Sequence, residues 1–142
     1  MSAYADTSFL VSLYTPDANS PEAAARMRRL GLPVILSEFG ELELINAFQL
    51  RLFRNELPPA KVRAAAAAFR DDVTGGILAI LPTTDALFAE ARRISRRWSK
   101  TLGTRTLDVI HVASALVLSA DTFHTFDQRQ RRLAEAVKLR TV

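Results

Sequence analysis

Four acidic residues carry the chemistry this sequence offers. Asp6 ends a short apolar run, Glu43 lies inside a helical stretch, Asp108 opens an apolar helix, and Asp127 closes a run that reads as a buried strand. A lone carboxylate beside a hydrophobic core is costly to keep charged without a partner. Four of them converging would repel one another until a cation joined them. Hard oxygen donors around open coordination positions suit Mg²⁺ or Mn²⁺. Metal-activated attack of water on a phosphodiester is the chemistry such a set would serve.

Each acid also has a plainer reading. Asp6 precedes Thr7 and Ser8 in a capping sequence. Asp6 is itself a candidate cap of the following helix, and capping by Thr7 or Ser8 instead leaves it free for a metal. Glu41 and Glu43 point about 200° apart on a helix, so they cannot serve one site. Glu43 is expected at the edge of an apolar face made by Phe39, Leu42, Ile45 and Phe48, with a solvated surface as its alternative. Asp108 in the first turn of its helix is favoured by the free N–H groups there. Asp127 has a turn aspartate as its alternative. His111 follows Asp108 by three residues and shares its face. It is a packing histidine held by hydrogen bonds, or a base that meets substrate. Arg129, Arg131 and Arg132, with Arg105 before Asp108, are solvated by default. Beside an acidic metal site they would hold phosphates.

Other chemistries lack their residues. There is no cysteine, no Gly-x-x-x-x-Gly-Lys loop, no Gly-x-Gly-x-x-Gly and no Gly-x-Ser-x-Gly. His111 and His124 lack zinc spacing.

The elements that must position these acids alternate. Ser2 to Ala5, Pro33 to Leu36, Ile77 to Leu81, Asp121 to Phe126 and Val137 to Val142 read as strands, the last at an edge. Helices are expected over Phe9 to Tyr14, Ala23 to Leu30 with Ser20 as cap, and from Ser37 up to Pro58-Pro59. Others follow over Ala60 to Val73, Asp85 to about Lys100, Leu107 to Leu118 and Asp127 to Ala136. The order predicts an α/β protein with a parallel sheet covered on both faces. Ligand sites in such sheets lie beyond the carboxyl ends of the strands, where Asp6 and Asp127 both fall.

The 142 residues predict one domain spanning 1–142. A formal net charge of +4 and a pI near 10.1 favour polyanions mildly. No secretory signal and no membrane-length apolar stretch is read, and a cytoplasmic protein is expected.

Four segments resemble the PIN-domain ribonucleases, and among them the VapC-type toxins of bacterial toxin–antitoxin pairs. They are Tyr4-Ala5-Asp6-Thr7-Ser8, Glu43-Leu44-Ile45-Asn46-Ala47, Leu107 to Leu116 around Asp108, and Thr125-Phe126-Asp127. The resemblance covers essentially the whole chain. It implies a three-layer α/β/α sandwich with a five-stranded parallel sheet, and Mg²⁺- or Mn²⁺-dependent RNA endonuclease activity. It also implies 5′-phosphate and 3′-hydroxyl products. Asp6 and Asp108 match the family's principal metal ligands, and Glu43 and Asp127 its remaining acids. Thr7 or Ser8 and Thr125 match hydroxyls that line the site. His111 stands where many members carry a small apolar residue. A homodimer and a small antitoxin are the implied partners, with the apolar surface around Phe39 to Phe53 available to both. Competing readings are a non-catalytic RNA- or protein-binding module on the same fold, a housekeeping PIN nuclease, and a phosphohydrolase with Asp6 as nucleophile. The last lacks a downstream lysine near a strand end.

Overall fold

The computed structural model describes residues 1–142. Its elements run β1 (Ala3–Ala5), α1 (Thr7–Tyr14), α2 (Ser20–Met27), β2 (Val34–Ser37), α3 (Glu38–Phe53), α4 (Pro59–Thr74) and β3 (Leu78–Leu81). Then come α5 (Asp85–Ile94), a π-helical turn (Ser95–Ser99), α6 (Lys100–Leu102), α7 (Thr106–Val117), β4 (Thr122–His124), α8 (Gln128–Ala136) and β5 (Arg140–Thr141). The five strands form one parallel sheet in the order β3-β2-β1-β4-β5. No helix is long and apolar enough to cross a membrane.

The pleat explains the layers. Successive strand residues face opposite sides of a sheet. Ala3, Ala5, Val34 and Leu36 pack with Phe9, Leu44, Phe48 and Phe69 on one side. Tyr4, Ile35 and Phe123 pack with Ile94, Val112 and Leu133 on the other. Strands β1, β2 and β4 are therefore buried on both faces, which is why they read as apolar runs without alternation.

Helix α3 departs from the expected face. Gly40, Leu44 and Phe48 are its buried residues, four apart. Leu42 is 63% exposed and Ile45 45%. Each three-residue step falls about 60° short of a full turn, so Phe48 lies about 180° round the helix from Phe39. A three-residue repeat drifts off any fixed face, whereas the 40-44-48 stripe stays on one. Helix α5 follows expectation, with Leu87, Ala91 and Ile94 buried. After the π turn and α6, Gly103 adopts φ 65°, a left-handed conformation that glycine takes without strain. It turns the chain toward Arg105 and the start of α7.

Candidate functional site

Asp6 follows β1 directly and is fully buried. It, rather than Thr7 or Ser8, caps α1: Oδ1 accepts from the Phe9 amide at 2.9 Å and from the Ser8 hydroxyl at 2.7 Å. A short side chain at the end of a strand reaches the free amides of the next turn, and a carboxylate there is the stronger acceptor. The Thr125 hydroxyl donates to Oδ2. Burial raises the Asp6 pKa, opposed by the positive charge of His111 and by these donors. Thr125 Oγ1 also accepts the Asp127 amide at 2.9 Å. One hydroxyl thus links the Asp6 carboxylate after β1 to the Asp127 backbone amide after β4.

Asp127 caps α8, with Oδ1 accepting the amides of Arg129 at 2.8 Å and Gln130 at 3.0 Å. Asp108, on α7, accepts the Arg105 amide at 2.8 Å and meets Arg129 Nε at 3.2 Å. Glu43, on α3, accepts the Thr7 hydroxyl at 2.9 Å and pairs through the same Oε1 with His111 Nε2.

His111 organises the buried side of this site. Tyr4 Oη donates to Ser37 Oγ at 3.1 Å and lies 2.9 Å from His111 Nδ1. With the phenol proton committed to Ser37, Nδ1 must donate to Tyr4. Nε2 faces a carboxylate and donates as well. Both nitrogens carry protons, so the ring is an imidazolium. Burial alone would lower its pKa. Tyr4, Glu43 and Asp6 outweigh that and raise it to about 10. The same pair holds the Glu43 pKa below its usual value, against the upward pull of burial. Gly40 lets α3 pass close by: a Cβ there would sit 3.4 Å from His111 Cε1.

Glu43, Asp108 and Asp127 line one cavity of about 440 Å³, together with Arg105, Arg129 and Gln130. Asp6 lies outside that lining, coupled through Thr125 to Asp127 and through His111 to Glu43. Thr7, Ser8 and Thr125 each bond an acid. The arginines divide. Arg105 and Arg129 line the acid cavity, and Arg129 and Arg132 line a neighbouring one of about 500 Å³ with Phe126 and Leu102. Arg131 instead spans to the Thr141 hydroxyl at 3.3 Å and the Thr125 carbonyl at 3.4 Å. Two residues went unassigned in the sequence. Gln130 lies three residues after Asp127, a spacing that shares a helix face. Tyr4 gave no signal, because its contact with His111 exists only once β1 and α7 pack.

The donor set has the chemistry of a hard divalent-ion site: carboxylates from three separate elements on one cavity wall. No three acidic or imidazole groups close around a single point in the present side-chain arrangement. Two of the acids are instead neutralised by His111 and Arg129. Opposite charge from protein cations answers the repulsion that a bound cation would otherwise relieve.

This architecture defines a class. A profile of the PIN domain matches residues 3–136, and the chain belongs to the PIN-domain family. No curated protein matches the sequence. Among solved structures, the chain is similar to the sarcin–ricin-loop-cleaving toxin VapC20 of Mycobacterium tuberculosis. Identity is 18%, TM-score 0.73, and the match covers 96% of this chain and 95% of that one. FitAcB of Neisseria gonorrhoeae matches at 23% identity and TM-score 0.69, over 98% and 95%. FitAB bound to the IR36 DNA fragment matches at 22% and 0.71, over 99% and 93%. At these identities the likeness carries the fold.

Proposed function

We propose that this chain is a Mg²⁺- or Mn²⁺-dependent endoribonuclease and the toxin of a toxin–antitoxin pair. The observation that carries the reading is the convergence of Glu43, Asp108 and Asp127 on one cavity, with Asp6 bonded behind it. Family membership and the fold shared with a sarcin–ricin-loop-cleaving toxin support it.

Asp108, Glu43, Asp127 and Asp6 are the residues that would hold the metal. A divalent ion bound there lowers the pKa of water and neutralises developing phosphate charge. Asp127 spends Oδ1 on two backbone amides, which leaves Oδ2 to accept a proton from water. Arg105 and Arg129 on the same wall present guanidinium donors to phosphate oxygens. Thr125 and Ser8 fix the Asp6 carboxylate, and His111 fixes Glu43, so the acids are oriented before substrate arrives. A flexible single strand or loop of RNA is the substrate that best places a phosphate in such a cavity.

A cognate antitoxin and a second copy of the chain are the proposed partners. Leu42, Ile45 and Phe53 on α3 expose apolar surface suited to either contact.

One observation favours a non-catalytic module: every aspartate of the set also serves the fold, Asp6 and Asp127 as helix caps and Asp108 in a capping box. Cleavage of single-stranded RNA with Mg²⁺ or Mn²⁺, read beside thermal unfolding, separates the two. The nuclease reading expects cleavage that EDTA abolishes, and that Asp108→Asn and Glu43→Gln abolish while the protein stays folded. Undiminished cleavage by these variants or in EDTA, or no cleavage in either metal, would overturn it.

A further inference from the structure

A second polar cavity, of about 290 Å³, lies under α2 near the starts of the strands. Thr122 and Arg140, which open β4 and β5, are in its wall. Arg26 and Arg29 of α2 and the following turn complete its positive lining, against the single acid Glu22. Three guanidinium groups share this small space with one carboxylate, already paired with Arg26, so the lining keeps an excess of positive charge.

Two of its wall residues carry buried polar atoms with no partner. Arg26 donates through Nε to Glu22 at 2.8 Å and lies 4.8 Å over the Phe126 ring. Its Nη1 is buried and unbonded. His124 Nε2 lies 3.1 Å from the Thr122 hydroxyl, while its Nδ1 is buried and unbonded. Burial and the nearby Arg26 lower the His124 pKa to about 4, so the ring is neutral at pH 7. In the tautomer that carries the ring proton on Nδ1, Nε2 accepts from the Thr122 hydroxyl and Nδ1 is left to donate. The cavity wall thus has two buried nitrogens without a hydrogen-bond partner, and native proteins rarely leave such groups unpaired. A single water, with about 30 Å³ as its share of the liquid, would satisfy them but leave the charge and most of the volume unanswered.

We propose that this cavity binds a phosphate group. Arg26, Arg29 and Arg140 neutralise it and His124 Nδ1 hydrogen-bonds one of its oxygens. Guanidinium forks match phosphate geometry in pairs, and three of them suit a dianionic or strand phosphate better than a carboxylate. The phosphate belongs to a small free ester or to a nucleic-acid strand that continues past the cleavage site.

The chain has two histidines, one beside each polar cavity, and their Cε1 proton resonances report the two sites separately. Titration of the full chain with inorganic phosphate at constant ionic strength and pH 7.5 is expected to move the His124 resonance to saturation. His111 stays in place. Arg29→Gln combined with Arg140→Gln changes exposed side chains and is expected to weaken that binding at least tenfold. Repetition with adenosine 5′-monophosphate and with a short RNA in EDTA identifies the source. Tighter binding of the RNA assigns a strand phosphate, and equal or weaker binding assigns a small ester. No saturable shift at His124, a shift at His111 instead, or unchanged affinity in the double variant would overturn the proposal. None of these readings depends on cleavage.

Discussion

The acid cavity beyond the strand ends and the arginine cavity near the strand starts solve opposite problems. In the first, aspartates at helix N-termini are fixed by backbone amides and hydroxyls, and Glu43 inside α3 by His111. In the second, long side chains line the space, and Arg29 and Arg140 are exposed. All four buried side-chain atoms without a hydrogen-bond partner belong to residues on these two walls: Arg129 Nε, which meets Asp108 only as an ion pair, and Gln130 Oε1 in one, Arg26 Nη1 and His124 Nδ1 in the other. The acid site is ordered in advance, which suits stabilisation of a brief charged state. The arginine site keeps side-chain freedom, which suits a ligand held in more than one pose.

The largest test of this contrast removes an acid that the fold also uses. Asp6→Ala deletes the α1 cap and strands the Ser8 and Thr125 hydroxyls, and about 2 kcal/mol of stability should go with it, read by urea unfolding. Asp6→Asn keeps an acceptor for the Phe9 amide. It should lose cleavage with little loss of stability, and equal damage by both variants would make Asp6 purely structural.

His111→Ala should cost about 2 kcal/mol, since it leaves the buried side of Glu43 and the Tyr4 hydroxyl without their partner. Glu43 at 26% side-chain exposure holds the effect below that of a fully buried pair. If the variant unfolds at the same urea concentration as the parent, the imidazolium has no such role.

The two histidines should give opposite pH dependences. The folded pKa of His111, about 10, lies above its ordinary value of 6.5, so its contribution is whole below pH 6.5 and fades as pH rises toward 10. The folded pKa of His124, about 4, lies below 6.5, so its contribution is whole above pH 6.5 and fades as pH falls toward 4. Unfolding midpoints for the parent, His111→Gln and His124→Gln across pH 4–10 check both: each variant should flatten only its own limb.

The smallest expected effect is at Arg129. Arg129→Gln removes the positive charge that stands against Asp108 in place of a cation, and should lower the metal concentration needed for half-maximal cleavage by less than tenfold. No change would place Arg129 outside the site.

Strand and helix order was legible because a sheet buried on both faces writes apolar runs between helical periods, and the acids announced themselves by interrupting those runs. The buried face of α3 was misread because a three-residue repeat imitates a helical stripe over short stretches. Whether Asp6, Thr7 or Ser8 caps α1 stayed open in the sequence because three capping residues stand in a row, and only the folded backbone selects Asp6.

By itself, the sequence determined the alternation of elements, the parallel sheet and the acids at strand ends, because local propensity and apolar periodicity act within a few residues. Tertiary structure alone decided which charges meet. It brought His111 to Glu43 and Tyr4 and Arg129 to Asp108, and it set Arg26 and Arg140 on the wall of one cavity, since side chains far apart in the chain come together only when strand order and helix packing are set.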